Sequence, residues 1–107
     1  MYMRVIRGRA RLGKVEELAA RWRELIAPRL AATPEVVHAH FAGNHETGDI
    51  VTVSVWRSRP DVERLGRELQ AFVEQVRELA ASAPVVEDYE VFASVSSEQR
   101  SAAPETA

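Results

Sequence analysis

The sequence predicts an α+β domain with the element order β-α-β-β-α-β. Two segments carry apolar residues at helical spacing, and the segments around them alternate in polarity or run as short β-branched stretches. A short loop with glycine at both ends joins two of the predicted strands, which is typical of a hairpin. Because 107 residues support only one core, we expect a single domain over residues 1–95.

The first strand is predicted over residues 2–10, where side chains alternate with a period of two. The first helix follows from Lys14, because apolar residues recur along one stripe: Val15, Leu18, Trp22, Leu25, Ile26 and Leu30. Pro28 lacks an N–H and clashes with the preceding turn, so we expect the helix to kink or end near Ala27.

The next two strands are predicted to form a β-hairpin over residues 36–42 and 50–56. Gly43 and Gly48 bound the polar loop between them, and glycine tolerates the backbone angles that such turns require. The third strand is rich in valine and ends in Trp56.

The second helix is predicted to begin with Ser58 as its N-cap, Pro60 in its first turn and Asp61 in the capping-box position. Its apolar stripe continues to Ala80, and Pro84 is expected to end it.

The last strand is predicted over residues 85–95. Residues 96–107 are small or polar and have little to bury, so we expect a disordered C-terminal tail.

This order predicts a ferredoxin-like, split βαβ arrangement: an antiparallel four-stranded sheet with two helices on one face. The other sheet face would then be uncovered. On the third strand the valines at positions 51, 53 and 55 point away from Ile50 and Trp56. Because an uncovered valine face favours association, the sequence predicts a homodimer in which two sheets pack face to face through Val51, Val53 and Val55.

Composition excludes several classes of function. The 14 basic and 16 acidic residues give a net charge of −2, which argues against a nucleic-acid-binding protein. The absence of cysteine excludes disulfide scaffolds, cysteine nucleophiles and thiolate metal sites. No apolar run resembles a leader or a membrane span, so we expect a cytoplasmic protein without a membrane partner.

The valine-rich third strand and the Trp56-Arg57-Ser58 sequence leading into a capped helix resemble the dimeric α/β barrel superfamily, and within it the antibiotic biosynthesis monooxygenase family. The resemblance covers about residues 2–95. It implies a cofactor-independent oxygenase acting on a small planar aromatic or polyketide-type molecule, with no cofactor and no metal. Haem-degrading enzymes and proteins of unknown function are also members.

The chain departs from the family pattern at positions that carry proton transfer. Ser54 stands where relatives often have an acid, and Leu65 or Gly66 where they often have a histidine. The first strand also lacks the asparagine of haem-degrading relatives, which argues against that activity. A second hypothesis is therefore a non-catalytic small-molecule-binding or interaction module of the same fold.

Trp56 is expected to face the space between sheet and helices, where its ring could stack on a planar ligand and its N–H could hold a carbonyl or phenolate. Ser54 and Tyr89 are further candidates for substrate binding. Core packing is the alternative role for Trp56 and Tyr89.

His38 and His40 are the candidate catalytic residues, because either is the best remaining candidate for a general base when the second helix lacks its histidine. Two residues apart on a strand, they project from one face about 7 Å apart. They could also hold a metal with His45, although the alternative is a pair that faces solvent or the dimer interface.

Four arginines, at positions 4, 7, 9 and 11, precede the first acidic residue. The last strand should lie beside the first and carries Glu87, Asp88 and Glu90, so we expect cross-strand ion pairs rather than a phosphate-binding patch.

Overall fold

The computed structural model describes residues 1–95, which form a four-stranded antiparallel sheet and three helices. The elements in chain order are β1 (Tyr2–Arg9), α1 (Val15–Leu25), α2 (Ala27–Ala31), β2 (Val36–Gly43), β3 (Asp49–Trp56), α3 (Val62–Gln75) and β4 (Val85–Glu90). The strands lie in the order β2-β3-β1-β4. The predicted ferredoxin-like α+β class is confirmed. The predicted tail, residues 96–107, lies outside the described residues.

The first predicted helix is divided, as its proline requires. α1 gives way at Ile26, whose N–H donates to the carbonyl of Trp22, and α2 begins at Ala27 with Pro28 in its first turn. At that position the missing proline N–H costs no helical hydrogen bond. The break predicted near Ala27 is confirmed.

The strand register gives the sheet two distinct faces. The helix-side face carries the even-numbered residues of β1, β3 and β4 and, after the register shift between Val36 and His38, the odd-numbered residues of β2. The helix-free face carries the alternate residues, including Val51, Val53 and Val55 of β3. Because side chains alternate along a strand, the strand register determines which candidate residues lie on the same face of the sheet.

The hydrophobic core lies at one end of the helix-side face, where the loops after β1 and α3 meet α1. Leu18 is its most deeply buried large side chain. The buried members are Ala10, Val15, Leu18, Val76 and Leu79, with Phe41, Ile50 and Phe72 packed against them. This cluster anchors α1 and the end of α3 to the sheet, and Trp56, although buried, is not a member of it.

The start of α3 differs from the prediction. Asp61, rather than Ser58, is the N-cap, and its side chain accepts a hydrogen bond of 3.0 Å from the backbone N–H of Arg64. The backbone of Asp61 is extended and the helix begins at the next residue, so Ser58 lies too far upstream to reach the first turn.

The end of α3 also differs, because the helix stops at Gln75 rather than continuing to Ala80. Beyond it, the carbonyl of Leu79 accepts from the N–H of Arg11, and Ala80 forms an isolated bridge with Ala10. These backbone bonds tie the segment to the end of β1 and replace the helical hydrogen bonds there.

β4 is shorter than predicted and ends at Glu90 rather than near residue 95. Glu90 pairs with Tyr2, the first residue of β1, and the N–H of Val91 donates to the carbonyl of Met1, so β4 ends where its pairing with β1 ends. A strand cannot continue without a neighbour that accepts its backbone hydrogen bonds.

Candidate ligand-binding site

A cavity of about 250 Å³ lies between the helix-side face of the sheet and the helices. The sheet contributes apolar residues together with Arg4, Thr52 and Ser54. The helices close it with a mainly apolar set: Leu18, Trp22, Ile26, Leu30, Leu65, Leu69, Phe72, Val73 and Val76. An open apolar space with a few polar groups on its floor is typical of a small-molecule site.

Trp56 lies at the end of β3 and is 5% exposed, with its ring in the cavity wall. The prediction that it faces the space between sheet and helices is confirmed. Its indole Nε1–H donates to the Ser54 hydroxyl at 2.8 Å, because residues two apart on a strand share a face. This N–H therefore already has a hydrogen-bond acceptor within the protein. The Ser54 hydroxyl, which accepts that bond, still has its own proton to donate to another group.

Arg4 lies on β1 directly opposite Ser54 of β3, and it too lines the cavity. It is 6% exposed. Its Nε and Nη2 donate to the two carboxylate oxygens of Asp88 at 2.7 and 2.9 Å. Hydrogen bonding from Arg4 lowers the pKa of Asp88, and the charges of Arg4 and Arg59 act in the same direction.

The arginine patch predicted from the sequence is neutralised across strands. Arg4 pairs with Asp88, and Arg7 pairs with Glu87 of β4 at 2.9 Å. Arg9 finds its partner on β3 instead, in Asp49 at 3.0 Å. Cross-strand pairing is confirmed for these three arginines, although only Arg4 is buried. The sequence pattern predicts only this structural role for Arg4 and does not indicate that Arg4 lines the cavity.

The structure does not bring His38 and His40 into the cavity. They pair with Val55 and Val53 on the helix-free face, and both are exposed. Their ring centroids lie 5.2 Å apart, so the two imidazoles are neighbours. Within one chain, the sheet separates them from Trp56, and neither can act on a ligand in that cavity.

Tyr89 also lies on the helix-free face, opposite Met3, and is 47% exposed. Of the predicted substrate-binding residues, the structure therefore brings together Trp56 and Ser54 but leaves Tyr89 apart. His45 lies exposed in the hairpin loop. Within residues 1–95, no three histidine, aspartate or glutamate side chains gather closely enough to hold a metal ion.

Leu65 and Gly66, the positions where relatives often carry a histidine, do line the cavity. The titratable side chains in the described part of the cavity wall are Arg4, Arg9 and Glu68. Glu68 lies 3.7 Å from Arg64 on the same helix. The cavity therefore combines an apolar surface with hydrogen-bond donors on its floor, which is the chemistry needed to bind and orient a small ligand.

The sequence matches no protein-family model and no curated protein. Solved structures match its fold. A provisionally named antibiotic biosynthesis monooxygenase from Nitrosomonas europaea is 12% identical, with a TM-score of 0.70 over 87% of this chain and 100% of that chain. Rv0793 from Mycobacterium tuberculosis is 20% identical, with a TM-score of 0.67 over 89% of this chain and 98% of that chain.

A third structure, a provisionally named antibiotic biosynthesis monooxygenase from Chloroflexus aurantiacus, is 18% identical, with a TM-score of 0.64 over 89% of this chain and 96% of that chain. At these identities the likeness establishes a shared fold. The ferredoxin-like fold of the single chain, which the sequence resemblance implies, is confirmed. In the part of the chain that the structure describes, no helix is long and apolar enough to cross a membrane.

Proposed function

We propose that this chain oxidises a small planar aromatic or polyketide-type molecule with O2, without a cofactor, in the cavity beside Trp56. The observation that supports this proposal is the open, largely apolar cavity with Ser54 and Arg4 on its floor. Its volume of about 250 Å³ is just below the usual range of ligand pockets, about 300–1,000 Å³, which favours a small ligand. The names of the matching structures favour the same chemistry.

An electron-rich substrate supplies the electrons for this reaction. In an anthrone, the methylene carbon between two rings loses its two hydrogens and gains one oxygen atom as a carbonyl. The second atom of O2 leaves as water with those hydrogens, so carbon is oxidised and O2 is reduced. The contribution of the protein is to bind the planar molecule, exclude bulk water and stabilise the charge that forms when the substrate loses a proton.

Oxygen uptake with anthrone tests this proposal, after subtraction of the rate without protein. We expect the wild-type chain to accelerate uptake and Trp56→Leu to lose at least about tenfold of that rate, because the variant removes the stacking surface. Glu46→Gln, in the exposed hairpin loop, is the control and should match the wild type. If the chain accelerates oxygen uptake with neither anthrone nor quinols, oxygenase activity is contradicted.

A second candidate function is non-catalytic binding of a similar molecule in the same cavity. The position of His38 and His40 on the opposite sheet face favours it, because the cavity then lacks its predicted general base. Ligand-dependent quenching of tryptophan fluorescence without oxygen uptake would support binding alone. If anthrone neither quenches fluorescence nor consumes oxygen, both functions are contradicted.

We also propose that the chain forms a homodimer through its helix-free face. Val51, Val53 and Val55 lie half-buried on the central strand β3 of that face. Tyr89 lies on the same face, on the edge strand β4, and is 47% exposed. After β4, Phe92 is 89% exposed. A second copy would cover this apolar surface, and each valine fully removed from water would contribute about 1.5–3 kcal/mol before the costs of association.

Light scattering at micromolar concentration tests the homodimer. We expect the mass of two chains for the wild type and of one chain, or loss of folding, for Val53→Asp, because the charge would lie unpaired within the interface. Leu12→Asp changes an apolar residue that is 72% exposed outside the sheet and should remain dimeric. A wild-type mass of one chain would refute the homodimer.

A further inference from the structure

Arg4 differs from the other paired arginines of β1 in its burial. The Arg4 side chain is 7% exposed, against 63% for Arg7 and 58% for Arg9, although all three make cross-strand ion pairs. Ion pairing between strands therefore does not require burial in this sheet. Removing a guanidinium from water is costly unless its donors are satisfied. The buried Arg4 guanidinium beside an apolar cavity is therefore expected to have a second hydrogen-bond acceptor in addition to Asp88.

Asp88 satisfies only part of the Arg4 guanidinium. It accepts from Nε and Nη2, while within residues 1–95 no acceptor bonds Nη1. Arg4 lines the cavity, but Asp88 does not, and the Asp88 side chain is 40% exposed. A ligand in the cavity would therefore lie beside Arg4, whereas the neutralising Asp88 carboxylate is not part of the cavity wall.

The Ser54 hydroxyl is a second hydrogen-bond donor beside the Arg4 guanidinium. Ser54 is the direct cross-strand partner of Arg4, and its oxygen already accepts from Trp56 Nε1. Its own proton remains free to donate. Charge-assisted hydrogen bonds are the stronger kind, and water exclusion by apolar walls strengthens them further.

We infer that Arg4, with Ser54, binds an ionised oxygen of the ligand, either a carboxylate or an ionised phenol or enol, while the planar body lies against Trp56. This inference rests on the proposed function, because it takes the cavity as the ligand site. It adds the substrate class: planar molecules that carry an acidic oxygen at one end. For an enolisable substrate, Arg4 would favour the ionised form that reacts with O2.

Calorimetric binding at pH 7 to the full chain tests the inference with two matched pairs of probes. The carboxylate pair is 2-naphthoate and neutral 2-naphthamide, and the phenolate pair is ionised 2,4-dinitro-1-naphthol and neutral 1,3-dinitronaphthalene. We expect the anionic member of at least one pair to bind at least about tenfold tighter than its neutral match. The pair that discriminates identifies which acidic oxygen is preferred.

The substitution Arg4→Met should weaken anion binding by about 10- to 100-fold, equivalent to about 1.4–2.8 kcal/mol, and leave the neutral probes unchanged. Arg4→Lys should restore part of the preference. Arg7→Met, which removes an ion pair from the other sheet face, should leave all affinities unchanged. If Arg4→Met fails to fold, the double variant Arg4→Met/Asp88→Asn removes the uncompensated charge and takes its place.

Equal wild-type affinity for anionic and neutral probes would overturn the role of Arg4 while leaving the cavity as a ligand site. An equal loss of both kinds of probe in Arg4→Met, or the same anion loss in Arg7→Met, would also overturn it. If none of the four probes binds, the proposed function fails together with the inference.

Discussion

Replacing Ser54 by alanine removes the acceptor of the Trp56 indole N–H. The bond is 2.8 Å long, and Trp56 is 5% exposed, so the N–H has little access to bulk water. Leaving a buried donor unsatisfied costs about 1–3 kcal/mol. The adjoining cavity can admit a water molecule as a substitute acceptor, so we expect a loss toward the lower end of that range, about 1–2 kcal/mol.

Urea unfolding measures this loss, and a double-mutant cycle assigns it to the hydrogen bond. In a Trp56→Phe background the N–H is absent, so Ser54→Ala should cost less than about 0.5 kcal/mol. Thr52→Val is the control for hydroxyl removal: Thr52 lies on the same face of β3, and its hydroxyl makes no hydrogen bond within residues 1–95. It should change stability by less than Ser54→Ala does.

Equal costs of Ser54→Ala in the wild-type and Trp56→Phe backgrounds would refute this reasoning. The coupling free energy would then be zero, and the loss would reflect packing rather than the Ser54–Trp56 hydrogen bond. For a domain of this size, each kcal/mol corresponds to about 4–8 °C in Tm, so thermal unfolding offers an independent check.

Other substitutions test the backbone and the buried ion pair. Gly48→Ala should destabilise the chain by at least about 1 kcal/mol in urea unfolding, because φ is +81° and the new Cβ would lie 2.6 Å from the Ala10 carbonyl oxygen. Gly66→Ala should instead stabilise it by about 0.5–1 kcal/mol, since its Cβ meets no atom within 4 Å in a helix; a loss of stability would contradict that placement. Because the pKa of Asp88 is lower in the folded chain than in the unfolded chain, its ionised carboxylate stabilises the fold at pH values above the unfolded-state pKa. This stabilisation is lost as the pH falls through the folded-state pKa of Asp88. The gap in urea midpoint between wild type and Asp88→Asn should therefore narrow below about pH 4, and an unchanged gap would argue against the Arg4 ion pair as its source.

The element order could be read from the sequence because it depends on local pattern. The valine alternation of β3 and the glycine-bounded loop before it are local signals, and the structure contains both as predicted. Pro28 likewise acts on its own turn and divides the first helix where expected. Element ends were less predictable. α3 stops at Gln75 because residues after it bond to the end of β1, a contact distant in sequence.

The candidate site was only partly predictable, because it also depends on contacts between residues that are distant in sequence. Alternation within β3 placed Ser54 and Trp56 on one face without knowledge of any other strand. Whether His38 and His40 share that face depends on how β2 pairs with β3, and this register includes a shift between Val36 and His38 that periodicity does not reveal.

By itself, the sequence determined the order of the strands and helices, the position of Trp56 beneath the helices and the cross-strand pairing of the early arginines. Only the tertiary structure decided that the two histidines lie on the other face and that Arg4 lies buried in the cavity wall. The physical reason is that periodicity assigns a side chain to a face of its own element, whereas burial depends on elements that pack against it from elsewhere in the chain. Arg4, Arg7 and Arg9 look alike in the sequence, and the packing around them makes one of the three a candidate ligand-binding residue.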